Sequence, residues 1–125
     1  HPQDTREENY LQDYFKAQVE GLSLLLKQWG GRKMASSLEE IINETGQRNV
    51  WPVEMQDGYI TLHLSREDTD IYRALLARAI SYSASMIGEK FVIRELNRLN
   101  SKIDPMVLKF AQRMGLDQLY EEILS

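Results

Sequence analysis

Residues 65–99, SREDTDIYRALLARAISYSASMIGEKFVIRELNRL, decide the fold of this 125-residue chain. Ser65 has the properties of an N-cap. Its hydroxyl can accept from the Asp68 amide, Asp68 can answer in a capping box, and Glu67 and Asp68 suit the positive end of a helix dipole. A helix is therefore expected from Arg66. Steps of about 100° per residue gather Ile71, Tyr72, Leu75, Leu76, Ala79, Ile80, Tyr82, Ser83, Met86 and Ile87 on one half of the cylinder, as in an amphipathic helix packed on a core. After Gly88 the apolar set becomes Val92, Ile93, Leu96 and Leu99, turned by roughly one residue step, about 100°. One straight helix could not bury both faces against the same partner. Glycine is poor in a helix interior and favoured where a helix stops, so a break is expected at Gly88.

Upstream, the segment Trp51–Leu64 carries the clearest local signal. Asp57-Gly58 offers the two positive φ values of a type I′ turn, with strand-like residues on both sides. Folding about that turn pairs Met55 with Ile60, Val53 with Leu62 and Trp51 with Leu64. All six apolar side chains then share one face, while Glu54, Gln56, Tyr59, Thr61 and His63 take the other. Pro52 lacks a ladder donor and marks an edge. A lone hairpin is marginal in water, so its apolar face must lie on helices.

Further upstream, Thr5-Arg6-Glu7-Glu8 reads as a capping box and Gly30-Gly31 as a stop, which predicts helix 1 from about Arg6 to Trp29. Leu11, Phe15, Val19, Leu22, Leu26 and Trp29 fall within an arc of about 80° and form its core face. Tyr10, Tyr14, Gly21 and Leu25 widen the apolar side to about half the circumference, enough to touch more than one neighbour. Met34, Leu38, Ile41 and Ile42 keep helical spacing through a short helix 2, within which Ser36 or Ser37 is an alternative cap. Gly46 should end it and residues 47–49 should be loop. Downstream, Asp104-Pro105 gives an N-cap with proline at the first helical position, Gly115 a stop, and Asp117 the opening of a last helix with Leu119, Tyr120, Ile123 and Leu124. The expected fold is mainly α (α+β): one compact domain, residues 1–125, of about five to six helices with a two-stranded antiparallel β-hairpin between helix 2 and helix 3.

Composition narrows the function classes. The chain has no cysteine, which excludes disulfides, thiolate metal sites and cysteine nucleophiles and fits a reducing, cytoplasmic setting. No apolar run approaches the ~18 residues of a membrane span. His1 stands where a start methionine would be, which suggests a piece of a larger polypeptide. The net charge of −4 is uneven: residues 1–65 carry 6 basic and 10 acidic side chains, residues 66–113 carry 9 and 6, and residues 114–125 carry 0 and 3. That distribution argues against a general nucleic-acid binder.

Motifs that carry chemistry are absent. Nothing matches a phosphate-cradling glycine loop, a nucleophile elbow, HExxH or an EF-hand. His63 lies on the polar hairpin face, with Glu54 the only near acid and no ligand-spaced partner, so an exposed structural histidine is expected. Ala111, Gly115 and Leu116 resemble the turn of a helix-turn-helix, but the following helix would offer Asp117, Glu121 and Glu122 to phosphates. A helical hairpin packed for stability fits better.

Three surfaces remain as candidates. Lys90, Arg94, Arg98 and Lys102 recur at i, i+4 as a basic stripe suited to an anion or an acidic partner, or simply to solvent. The small-residue run around Ser81, Tyr82 and Ser85 either lets a helix approach closely or leaves room for a ligand. Tyr10, Tyr14, Gly21 and Leu25 form a candidate interface for self-association or a protein partner, unless another part of the chain covers them. The sequence therefore predicts a non-catalytic protein-interaction or regulatory module, of signalling type, that needs no cofactor. A small-molecule-binding helical sensor is the alternative.

Overall fold

At Gly31 the backbone leaves helical geometry, with φ 80° and ψ −170°, and resumes it at once. This single residue bends α1 (Pro2–Asn49) into two limbs, 2–30 and 32–49, without an intervening loop. The computed structural model describes the backbone of residues 2–124 and the side chains of residues 9–124. After α1 come β1 (Val53–Gln56), β2 (Tyr59–Leu62), α2 (Thr69–Ile87), α3 (Glu89–Lys102), α4 (Pro105–Arg113) and α5 (Leu119–Leu124). The arrangement is the expected mainly α fold with one two-stranded antiparallel sheet. Counted by limbs, the hairpin lies between the second and third helical segments.

Both glycine breaks lie where the apolar pattern requires them. Gly88, at φ 99° and ψ 146°, separates α2 from α3, so that Leu75, Leu76, Ala79 and Ile80 on one and Val92 and Leu96 on the other reach the same core. That core also takes Leu11, Phe15, Val19, Leu22 and Leu26 from the first limb of α1, and Leu38 and Ile42 from the second. Phe15 meets the Tyr72 ring edge-on at 5.3 Å. Each such buried side chain contributes roughly 1.5–3 kcal/mol relative to exposure.

The hairpin has the predicted register, Val53 with Leu62 and Met55 with Ile60, and its turn has positive φ at Asp57 (53°) and Gly58 (88°). Met55, Ile60, Leu62 and Leu64 are buried, whereas Glu54, Gln56, Tyr59, Thr61 and His63 are exposed. The ladder stops short of Trp51 and Leu64, with a last bond from His63 N–H to the Pro52 carbonyl. Side chains of α1 clasp the ribbon on both edges. Asn43 bonds the Met55 amide and carbonyl, Glu20 accepts from the Ile60 amide, and Glu39 accepts from the Asp57 and Gly58 amides. These contacts satisfy outward-facing backbone groups that a two-stranded sheet cannot pair internally.

Helix ends depart from the sequence reading in four places. Gly46 does not stop the helix, and residues 47–49 are its last turn, not a loop. The stop is a Schellman motif with Val50 at φ 56°, in which Trp51 N–H bonds the Gly46 carbonyl and Val50 N–H the Gln47 carbonyl. Gly46 serves packing instead: a Cβ there would lie 2.7 Å from Val53 Cγ1 and 3.2 Å from the Val53 carbonyl oxygen. Second, α2 starts at Thr69 and not Arg66, because Asp68 accepts from the Ser65 amide and hydroxyl and closes a turn ahead of the helix. Third, α1 already runs from Pro2, so Thr5 lies inside it; the side chains of the Thr5–Glu8 box lie outside the described residues. Fourth, α5 begins at Leu119, two residues after Asp117. The Asp104-Pro105 start is as expected, with Met106 N–H donating to Asp104 Oδ1 at 2.8 Å. Among the described residues no helix is long and apolar enough to cross a membrane.

Candidate functional site

Of the four residues expected to form an apolar interface on α1, Tyr14 and Gly21 are covered within the chain. Tyr14 is 1% exposed, and Gly21 sits so close to Leu99 of α3 that a Cβ would approach Leu99 Cδ1 to 2.7 Å. Tyr10 packs its ring at 6.2 Å from Phe110 of α4, and Leu25 is half-buried. The Tyr14 hydroxyl donates to Asn100 Oδ1 at 2.9 Å, and Gln18 Nε2 donates to the same oxygen at 3.0 Å. Burial, with a smaller contribution from Asp117, raises the Tyr14 pKa above the ordinary phenol range. These residues anchor α3 on α1, so Tyr14 and Gly21 offer no free docking face.

Ser81, Tyr82 and Ser85 do come together. With Ile41 of α1 and Ala77 and Arg78 of α2 they line a shallow groove of about 510 Å³. Two of its polar groups are engaged locally: the Tyr82 hydroxyl donates to the Met34 carbonyl at 3.0 Å and Ser85 Oγ to the Tyr82 carbonyl at 2.7 Å. Tyr82 thereby ties α2 to the second limb of α1. Ser81 and Ser85 are exposed on this groove and Tyr82 is half-buried.

The basic stripe gives the more developed surface. Lys90, Arg94, Arg98 and Lys102 are all exposed on α3. Lys102 lies in the last turn, where a cation suits the helix dipole. Beside Arg94 stands Phe91, and against Phe91 lies Trp29 of α1, with ring centroids 4.6 Å apart and planes inclined at 53°. Trp29 is the exception to the predicted core face, being 54% exposed. It ends the first limb just before the Gly31 bend, where the chain turns away and nothing is left to cover the outer ring surface. The Arg94 guanidinium lies 5.8 Å from the Phe91 ring centroid. Leu25, Trp29, Phe91, Arg94, Glu95 and Arg98 together line a cleft of about 240 Å³.

Arg98 is paired with Glu95, whose hydrogen bond and charge raise the Arg98 pKa further. Arg94 has no carboxylate within ion-pair distance among the described residues. Phe91 and Trp29 thus add two aromatic rings beside the stripe. Phe91, Arg94 and Arg98 are spaced i, i+3, i+7, a single helical face, and that spacing was the available signal. Trp29 could not be added from sequence, because only the Gly31 bend and the packing of α3 on α1 bring it there. Comparison with protein-family models, with curated proteins and with solved structures gives no match.

Proposed function

We propose that the domain is a non-catalytic protein-interaction module of regulatory type, and that the cleft between α1 and α3 takes an acidic segment of a partner protein bearing an apolar anchor. The observation that supports this reading is the half-exposed Trp29 packed at a tilt against Phe91, beside an Arg94 with no carboxylate partner among the described residues. Aromatic and arginine side chains are the residue types that dominate binding energy at protein interfaces. The cleft suits one bulky apolar side chain, and the flanking Lys90, Arg94 and Lys102 suit carboxylates around it. A nucleic acid fits less well, given the net charge of −4 and an aromatic surface of two rings at one end of the stripe. The lack of cysteine accords with action in a reducing cytoplasm.

The test is a calorimetric titration of the domain with a synthetic acidic peptide carrying leucine anchors. Saturable, salt-weakened binding that Trp29→Ala abolishes and Arg94→Glu weakens at least about tenfold supports the reading. Equal binding of a basic peptide, or binding unaffected by both substitutions, overturns it.

A further inference from the structure

The two limbs of α1 are held by different parts of the chain. The first is tied to α2, α3, α4 and β2. Phe15 meets Tyr72, Tyr14 and Gln18 donate to Asn100, Tyr10 packs on Phe110, Trp29 on Phe91, and Glu20 accepts from the Ile60 amide. The second limb is tied to the hairpin by Asn43 and Glu39, and to α2 by the Tyr82 hydroxyl. Among the described residues no side-chain hydrogen bond or ion pair joins one limb to the other. What links them is the backbone at Gly31 and the apolar core they share.

Nothing covers that link. Residues 27–33 are all exposed, and a Cβ built at Gly31 would have no heavy atom within 4 Å. With φ 80° and ψ −170° inside an otherwise helical stretch of 48 residues, this one residue decides whether α1 bends or runs straight. A switch to helical angles would swing the first limb off the rest of its own chain, residues 32–124. It would also let amides and carbonyls on the two sides of the break pair along one axis.

We infer that the chain exchanges its first limb with a second copy of itself, with Gly31 as the hinge. In the exchanged pair each first limb packs on the other copy and remakes there the contacts it makes within one chain, so no new complementary surface is required. Trp29 and Phe91 of each aromatic cleft then come from different copies. Glycine sets the balance, because it adopts positive φ without strain and is poor within a helix. The closed monomer therefore prevails in dilute solution, and the exchanged dimer forms by mass action as concentration rises.

Light scattering on wild type and Gly31→Ala, each refolded from denaturant at about 10 µM and at about 1 mM, tests this. The wild type should be monomeric at the lower concentration and show a dimer fraction at the higher. Alanine is strained at the Gly31 angles and favoured over glycine in a helix, and both effects act in each of two chains. Gly31→Ala should therefore raise the association constant at least about a hundredfold. In dimer refolded from equal parts of isotope-labelled and unlabelled chain, isotope-filtered NMR should place the contact of Phe15 with Tyr72 between copies. D-alanine in place of Gly31, introduced by chemical synthesis, is unstrained at the bend and should keep the chain monomeric. The inference is overturned by a dimer in which Phe15 meets Tyr72 only within each copy, or by a wild type wholly monomeric at the higher concentration. It is equally overturned by a Gly31→Ala variant that stays monomeric or unfolded at both concentrations, or by a D-alanine variant that dimerises as wild type does.

Discussion

Asn43 acts toward Met55 as a third strand would: its Nδ2 donates to the Met55 carbonyl at 2.9 Å and its Oδ1 accepts from the Met55 amide at 2.7 Å. Met55 is 2% exposed, so neither backbone group has water to fall back on. Asn43→Ala should therefore cost about 2–3 kcal/mol, since two desolvated groups are orphaned at once. Thermal denaturation should show a fall on the order of 10 °C, and hydrogen exchange at the Met55 amide should accelerate. Stability equal to wild type would mean that the hairpin is held by its apolar face alone.

Val50 is a β-branched residue in left-handed backbone, φ 56°, and its side chain is 88% exposed. It gains nothing from packing and bears the strain of the Schellman turn. Val50→Gly should stabilise the domain by about 1 kcal/mol, after the greater freedom of unfolded glycine is set against the relieved strain. A denaturation midpoint that falls instead would show that the turn does not hold this geometry in solution.

Ser83 is fully buried on α2 and its hydroxyl makes no hydrogen bond among the described residues. Ser83→Ala removes the polar group while leaving the space it occupies almost unchanged. Stability should rise by about 1 kcal/mol, read as a higher denaturant midpoint at an unchanged slope. A loss of that size would reveal a partner for the hydroxyl.

Tyr14 holds its proton to higher pH in the folded state, chiefly because burial disfavours the phenolate. Once pH passes the ordinary phenol value of about 10, the unfolded chain has lost a proton that the folded chain retains, so stability falls as pH rises. Below that value the contribution is fully present. Tyr14→Phe should cost about 1 kcal/mol at neutral pH, because Gln18 still serves Asn100, and should flatten the alkaline decline. Parallel declines in both proteins, measured by denaturant melts at about pH 8 and about pH 11, would assign the alkaline loss to other groups.

Local chemistry made much of the fold legible. The hairpin register follows from Asp57-Gly58 and the alternation around it, because a one-residue slip would turn Met55, Ile60 and Leu62 to solvent. The breaks at Gly31 and Gly88 follow from residues that tolerate positive φ where an apolar face ends or rotates. The start of α4 follows from a side chain two residues away. Each of these is decided within a few residues of chain, which is why the sequence by itself determined them.

The surfaces were decided elsewhere. Whether Tyr14 and Gly21 face solvent depends on Leu99 and Asn100, more than seventy residues along the chain. Trp29 has the periodicity of a core residue, yet the bend two residues later leaves it outside, where Phe91 and Arg94 meet it. The cleft between the limbs of α1, lined by Ser23, Lys27 and Arg32, exists only because the limbs diverge and the hairpin turn is pinned by Glu39 across their opening. Helical periodicity says which side of a cylinder is apolar. The angle between cylinders, and therefore what each side meets, is set by close packing among residues distant in sequence, and that belongs to the tertiary structure alone.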